Sequence, residues 1–166
     1  MKPFPVSMDE YKKQMQQGDV RTAYKGLMEY IMGLRSYFKK KYPDYVVHGS
    51  IYFGYMVMTY FSFFPRSFKL KKLKVAIVFI HETCRFEVWL AGYNKQIQTH
   101  YWKLFTESGW RKYHIPATTK DIDSILEHVV VEHPDFNNLD ELTRQIENGT
   151  VTFIKDVQDF LSKQET

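Results

Sequence analysis

Apolar residues recur at three- and four-residue spacing through Val20, Ala23/Tyr24, Leu27, Ile31, Leu34, Phe38 and Tyr42. That spacing predicts a helix over 20–42 with one buried stripe. Lys39, Lys40 and Lys41 fall in its last turns, where cations meet the negative end of the helix dipole, and Pro43 stops it. Gly26 and Gly33 lie on a flank of the stripe and suggest close approach of another backbone, since each is unfavourable in a helix. Upstream, Ser7-Met-Asp-Glu10 has the form of a capping box. It predicts a short first helix that stops at Gly18, with Asp19 capping the next.

From Tyr45 the pattern changes to β-branched and aromatic residues. Two strands are expected, about 46–55 and 57–64, joined by a turn or bulge near Gly54–Val57. Residues 75–80 are apolar on both faces and predict a central strand. Phe86, Val88 and Leu90 alternate with Arg85, Glu87 and Trp89, the pattern of a half-exposed strand. A two-residue Thr83-Cys84 loop between them would pair Glu82 with Arg85 and Glu87 with Ile80.

Asn94 caps an expected helix of 95–107, with Ile97, Tyr101, Leu104 and Phe105 inward and Gly109 at its end. Residues 110–124 read as irregular. Residues 125–131 fit a strand or a short helix, and the three valines favour the strand. Asn138-Leu-Asp-Glu141 opens a final helix over about 139–162, bent or interrupted around Asn148-Gly149. The sum is an α+β chain forming a single domain, 1–166. Its four- to five-stranded, mainly antiparallel sheet is packed by three main helices.

With 166 residues, one such domain buries enough surface to need no disulfides. The lone cysteine, Cys84, excludes an intramolecular disulfide and any multi-cysteine metal centre. No apolar run reaches membrane-spanning length, and the N-terminus lacks a secretory pattern, so a cytoplasmic address without membrane association is expected. The net charge of +4 conceals an asymmetry: residues 1–83 carry +8 and residues 84–166 carry −4. Basic clusters at 35–41 and 66–74 can track a phosphate backbone, although solvated helix ends and loops give the same pattern. The asymmetry also permits a self-complementary homodimer.

The six histidines show no His-x-x-x-His pair, and His128 and His133 straddle a strand end, so no metal site and no cofactor are expected. Cys84 has Arg85 and His81 nearby in sequence, the setting an activated thiol needs, but a cysteine in a turn is more often inert. Glu82 and Glu87 suit an edge ion pair as well as an acid–base pair. Tyr52, Phe53, Tyr55, Tyr60, Phe61, Phe63 and Phe64 form an aromatic run. It would supply a sheet core on one face and either a covered surface or a stacking platform on the other.

Three stretches, Tyr24-Lys-Gly-Leu-Met-Glu-Tyr-Ile-Met, Phe86-Glu-Val-Trp-Leu-Ala-Gly-Tyr-Asn-Lys95 and Tyr101-Trp-Lys-Leu-Phe, resemble an uncharacterised bacterial family of conserved domains of unknown function. The resemblance implies a stand-alone α+β protein and brings no activity or catalytic residue. The order of elements is also similar to the restriction-endonuclease-like fold. That fold's chemistry uses an Asp/Glu-x-Lys on a strand to hold magnesium. Glu82-Thr-Cys84 and Glu87-Val-Trp89 lack the lysine, so no metal-dependent nuclease is expected.

These readings favour a binding or regulatory module over an enzyme, recognising a protein partner or a small polar ligand. The residues expected to line one site are Trp89, Tyr93, Asn94 and Lys95, where a strand passes into a helix, with Trp110, Arg111, Tyr113 and His114 as its wall. Trp110 has a competing role as a core plug beyond Gly109. An enzyme with a cryptic pocket using Glu87 and His114 ranks second, and nucleic-acid binding through the basic clusters ranks third.

Overall fold

A computed structural model describes residues 1–165. The chain falls into two compact units, residues 1–37 and 38–166. In the first unit, α1 (Phe4–Gln17) leads into α2 (Asp19–Lys41), which continues into the second. The expected capping box does not form. The N-cap is Pro3, four residues before Ser7, and Pro5 stands in the first turn, where a fixed φ and a missing N–H suit a helix start. Ser7 therefore lies inside the helix, and Glu10 instead accepts a hydrogen bond from Gln14 at 2.7 Å. Gly18 ends α1 at φ 90°, as expected, while Asp19 is the first residue of α2 rather than its cap. Ile31 and Leu34 of the predicted stripe are buried, while at the turn before them Met28 is buried and the predicted Leu27 only half-buried. Gly26 and Gly33 are exposed, and an added Cβ would meet open space, so the close backbone approach expected there is not found.

The second unit holds a four-stranded antiparallel sheet in the order β2 (Met58–Ser62), β4 (Leu73–Ile80), β5 (Arg85–Gly92), β6 (Ser124–Val131). Two short strands, β1 (Tyr45–Val46) and β3 (Phe64–Pro65), pair separately. The helices α3 (Arg66–Leu70), α4 (Lys95–Ser108) and α5 (Leu139–Gln164) complete it. The fold is thus α+β with antiparallel sheets.

The expected strand over 46–55 shrinks to β1 and one bridge between Tyr52 and Tyr60. The chain turns where expected, but through Gly54, Tyr55 and Met56 in succession with positive φ, which no strand tolerates. The aromatic run is divided as a consequence. Phe61, Phe63 and Phe64 enter the core, while Tyr52, Phe53 and Tyr55 are exposed ahead of β2. The β4–β5 loop has four residues, His81 to Cys84, not two. Ile80 therefore pairs with Arg85 and Val78 with Glu87. Cys84 takes φ 50° there, and its thiol donates to the His81 carbonyl at 3.3 Å.

Val75, Ile77, Val88 and Leu90 share the buried face. Phe153 of α5 stacks over His128, the cross-strand partner of Val88, so α5 covers this face. Phe38 closes the same core against Phe61 and Phe63, with ring centroids 6.2 and 4.6 Å away. Helix α5 runs unbroken through Asn148-Gly149, contrary to the expected interruption. Gly149 has another reason: a Cβ there would lie 2.8 Å from Val130 Cγ1, so glycine lets β6 approach the helix. A buried carboxylate fixes the other end of the core. Glu147 Oε1 accepts from the Tyr42 hydroxyl and from Lys41 Nζ, each at 2.6 Å.

Candidate functional site

The eight residues expected to line one pocket divide between two concavities. Trp89, Tyr93, Asn94 and Lys95 border a groove of about 430 Å³ on the sheet face opposite α5. Arg111, Tyr113 and His114 border a separate cavity of about 450 Å³ with Trp102, Thr106 and Pro116. Trp110 borders neither. Its ring packs 5.1 Å from Phe105 and 5.0 Å from Phe160, centroid to centroid. The competing role as a core plug is the one it has.

The groove is built by alternation. Tyr60 and Ser62 of β2, Lys74, Ala76 and Val78 of β4, and Trp89 and Ala91 of β5 all present the same face. Ala76, Ala91 and Gly92 keep the floor low between Tyr60 and Trp89. Gly92 is obligatory for a second reason: a Cβ would lie 2.7 Å from the Gln98 backbone nitrogen. The first turn of α4 therefore sits against the end of β5 and closes one end of the groove.

Trp89 is held in place by its own strand. Glu87, two residues earlier on the same face, accepts from Trp89 Nε1 at 2.9 Å and from Arg85 Nε at 2.8 Å. Both carboxylate oxygens are thereby engaged and Glu87 is buried, the one exception on a strand face where Arg85 and Trp89 are half-exposed as expected. Glu87 is a positioning group in this arrangement. Glu82 stays exposed in the loop, so the two do not form an acid–base pair.

Helix α4 supplies the groove's polar end. Asn94 caps it, its Oδ1 accepting from Ile97 N at 2.9 Å. Lys95 does not face the groove as a free cation: its ammonium donates to the carbonyls of Thr119 and Ile122, tying the irregular segment to α4. Gln98, only 3% exposed, donates to Ile122 O at 2.6 Å and Ser124 O at 3.2 Å. Two carbonyl acceptors fix the amide's orientation. Its own Oε1 is left without a partner among the described residues, in the groove wall. Lys74 likewise has no ion pair or hydrogen bond there. Asp123 lies across the groove, beside Ser124. Since Lys74 pairs with Ala91 and Ala91 with Ser124, the backbones that carry the two charges are two strand spacings, about 10 Å, apart. Burial pushes the Tyr60 phenol pKa up, with Tyr52 and the Asp123 charge adding to it. Sequence reasoning missed Lys74, Gln98, Asp123 and Tyr60. Gln98 alone left a signal, a polar side chain on the same helix stripe as Tyr101 and Phe105.

A family model described as a domain of unknown function (DUF7000) matches residues 4–161. The chain belongs to this family. No curated protein and no solved structure matches this DUF7000 domain significantly. The expected likeness to an uncharacterised family is thereby met.

The Cys84–His81 neighbourhood considered as a thiol centre has a structural arrangement in this DUF7000 domain. The Thr59 hydroxyl donates to Phe53 O at 2.9 Å and sits 2.8 Å from His81 Nε2. A carbonyl cannot donate, so Thr59 must spend its hydrogen on Phe53 and His81 Nε2 must carry the proton between them. His81 is therefore no base toward Thr59, and Cys84 touches its carbonyl, not its ring. No group of three or more potential metal ligands occurs among the described residues. No helix there is long and apolar enough to cross a membrane.

Proposed function

We propose that this domain is a binding module whose open sheet face takes up a small polar molecule. The ligand is amino-acid-like, with an anionic group at one end and an amino or amide donor at the other. The single observation that carries the reading is Gln98: a side-chain amide with its nitrogen committed to two carbonyls and its oxygen left open to the groove. The two donated bonds hold that oxygen in one orientation, so a ligand amino group meets a preorganised acceptor. Asp123 adds negative charge at that end, and Lys74 answers a carboxylate about two strand spacings away. Trp89, held by Glu87, and Tyr60 form apolar walls, so little ordering remains to be done on binding. The groove volume falls within the usual range for small-molecule sites.

The test is calorimetric titration with a panel of free amino acids, their N-acetyl derivatives and their amides. Free zwitterions are expected to bind, and blocking either end to weaken binding. Lys74→Met should lower affinity about tenfold, the worth of one charge-assisted contact. Absence of binding across the panel, or undiminished binding by Lys74→Met, contradicts the proposal. Nucleic-acid binding is less well supported, since Lys41 and Lys71 of the basic clusters are engaged with Glu147 and Glu165.

A further inference from the structure

The second cavity has a different chemistry from the groove. Trp102 and Thr106, four residues apart on α4, face it together. The Trp102 indole donates to Pro116 O at 2.7 Å, so the irregular segment is fastened across the helix. His114 is fastened to β6 by two backbone hydrogen bonds with Glu127, at 3.2 and 2.9 Å. The walls are thus set by hydrogen bonds on two sides. Within them, Arg111, Lys112 and His114 bring basic groups to one rim. Arg111 Nη1 donates to Trp110 O at 3.0 Å, which steadies the guanidinium and leaves its other N–H groups for a ligand. Asp156 is the carboxylate that meets this rim, 3.1 Å from Lys112 Nζ and also bound by the Tyr113 hydroxyl at 2.5 Å. It neutralises Lys112 and leaves Arg111 unmatched. The Thr106 hydroxyl is sealed from solvent and has no hydrogen-bond partner among the described residues.

We infer that this cavity is an oxyanion site of the phosphate class, separate from the groove, with Arg111 as its main cation and Thr106 as its buried hydroxyl. Rotation of the Thr106 side chain about χ1 brings its orphaned hydroxyl to a phosphate oxygen, and the guanidinium fork matches two further oxygens. Trp102 and Pro116 offer an apolar wall to whatever organic group bears the phosphate.

Nuclear magnetic resonance titration of the full chain with inorganic phosphate and with phenyl phosphate tests the inference, using phenol as the uncharged control. Both anions are expected to shift the Trp102 indole and His114 resonances saturably, phenyl phosphate at lower concentration, and phenol not at all. Arg111→Gln should weaken phosphate about tenfold, as loss of a charged contact does. Thr106→Val, which keeps shape and removes the hydroxyl, should weaken it severalfold while leaving the spectrum otherwise folded. No saturable shift in the unmodified chain, or equal affinity in both variants, overturns the site. Because the Trp89 indole reports the groove separately, failure here is distinguishable from failure of the amino-acid reading.

Discussion

His128 illustrates how one residue's surroundings become a property of the whole chain. Its ring lies 4.7 Å from Tyr113 and stacks with Phe153. Burial lowers its pKa from 6.5, against an opposing pull from the Glu87 carboxylate, and burial lowers that of His81 as well. Both imidazoles therefore take up protons more readily in the unfolded chain. Their contribution to stability is complete above pH 6.5 and is lost as pH falls through the lowered folded values. Urea midpoints should thus decline between about pH 7 and about pH 5, and His128→Gln should flatten part of that decline. An unchanged slope in the variant would assign the decline elsewhere. Asp156 behaves differently. Burial raises its carboxyl pKa, but hydrogen bonds from Tyr113 and Lys112, with the charges of Lys112 and Lys155, outweigh it and hold it below the usual range. Its stabilising effect is lost only at lower pH, as the solution becomes acid enough to protonate it. The Tyr113 phenol is pushed up, first by burial and then by Asp156.

Helices and strands meet in this fold where a glycine permits it, and those contacts explain which elements the sequence made legible. Periodicity identified α2, α4, β4 and β5, because each has one apolar face and recognisable end signals. It overextended the strand before β2, since the composition of 46–55 is strand-like while its left-handed turn residues show only in three dimensions. It misread Gly149 as a break because close packing on Val130 lies outside the helix's own pattern. Gly149→Ala should cost about 1–3 kcal/mol despite alanine's better helix propensity, because the new Cβ overlaps a β-branched side chain that cannot turn away. Removing the obstacle reverses the sign: on a Val130→Ala background, Gly149→Ala should be neutral or stabilising. Additive destabilisation in the double-mutant cycle would show that the approach of β6 to α5 is not what requires glycine.

At the scale of the molecule, the candidate site was half visible. Trp89, Tyr93 and Asn94 do border the groove, because the passage from a strand into a capped helix is readable locally. Lys95 was given a ligand-facing role that it spends on the carbonyls of Thr119 and Ile122. The wall proposed from 110–114 belongs to a different cavity, because the path of an irregular segment depends on tertiary anchors such as the Trp102–Pro116 bond. Lys74 and Asp123 were illegible as a pair. Only the sheet register through Ala91 sets them across one groove. Tyr60 is brought to the same face by its pairing with Val78.

The three tryptophans sit in three separate places, one in the groove, one in the basic cavity and one in the core, so a single spectrum reports on all of them. The most direct test of the groove is therefore a heteronuclear titration of the labelled chain with the free amino acid that binds most tightly in the panel. The proposed site predicts saturable movement of the Trp89 indole and the Gln98 side-chain amide, with the Trp102 and Trp110 indoles unmoved. Movement confined to Trp102, or a Trp89 indole and Gln98 amide that stay fixed at saturation, would contradict it.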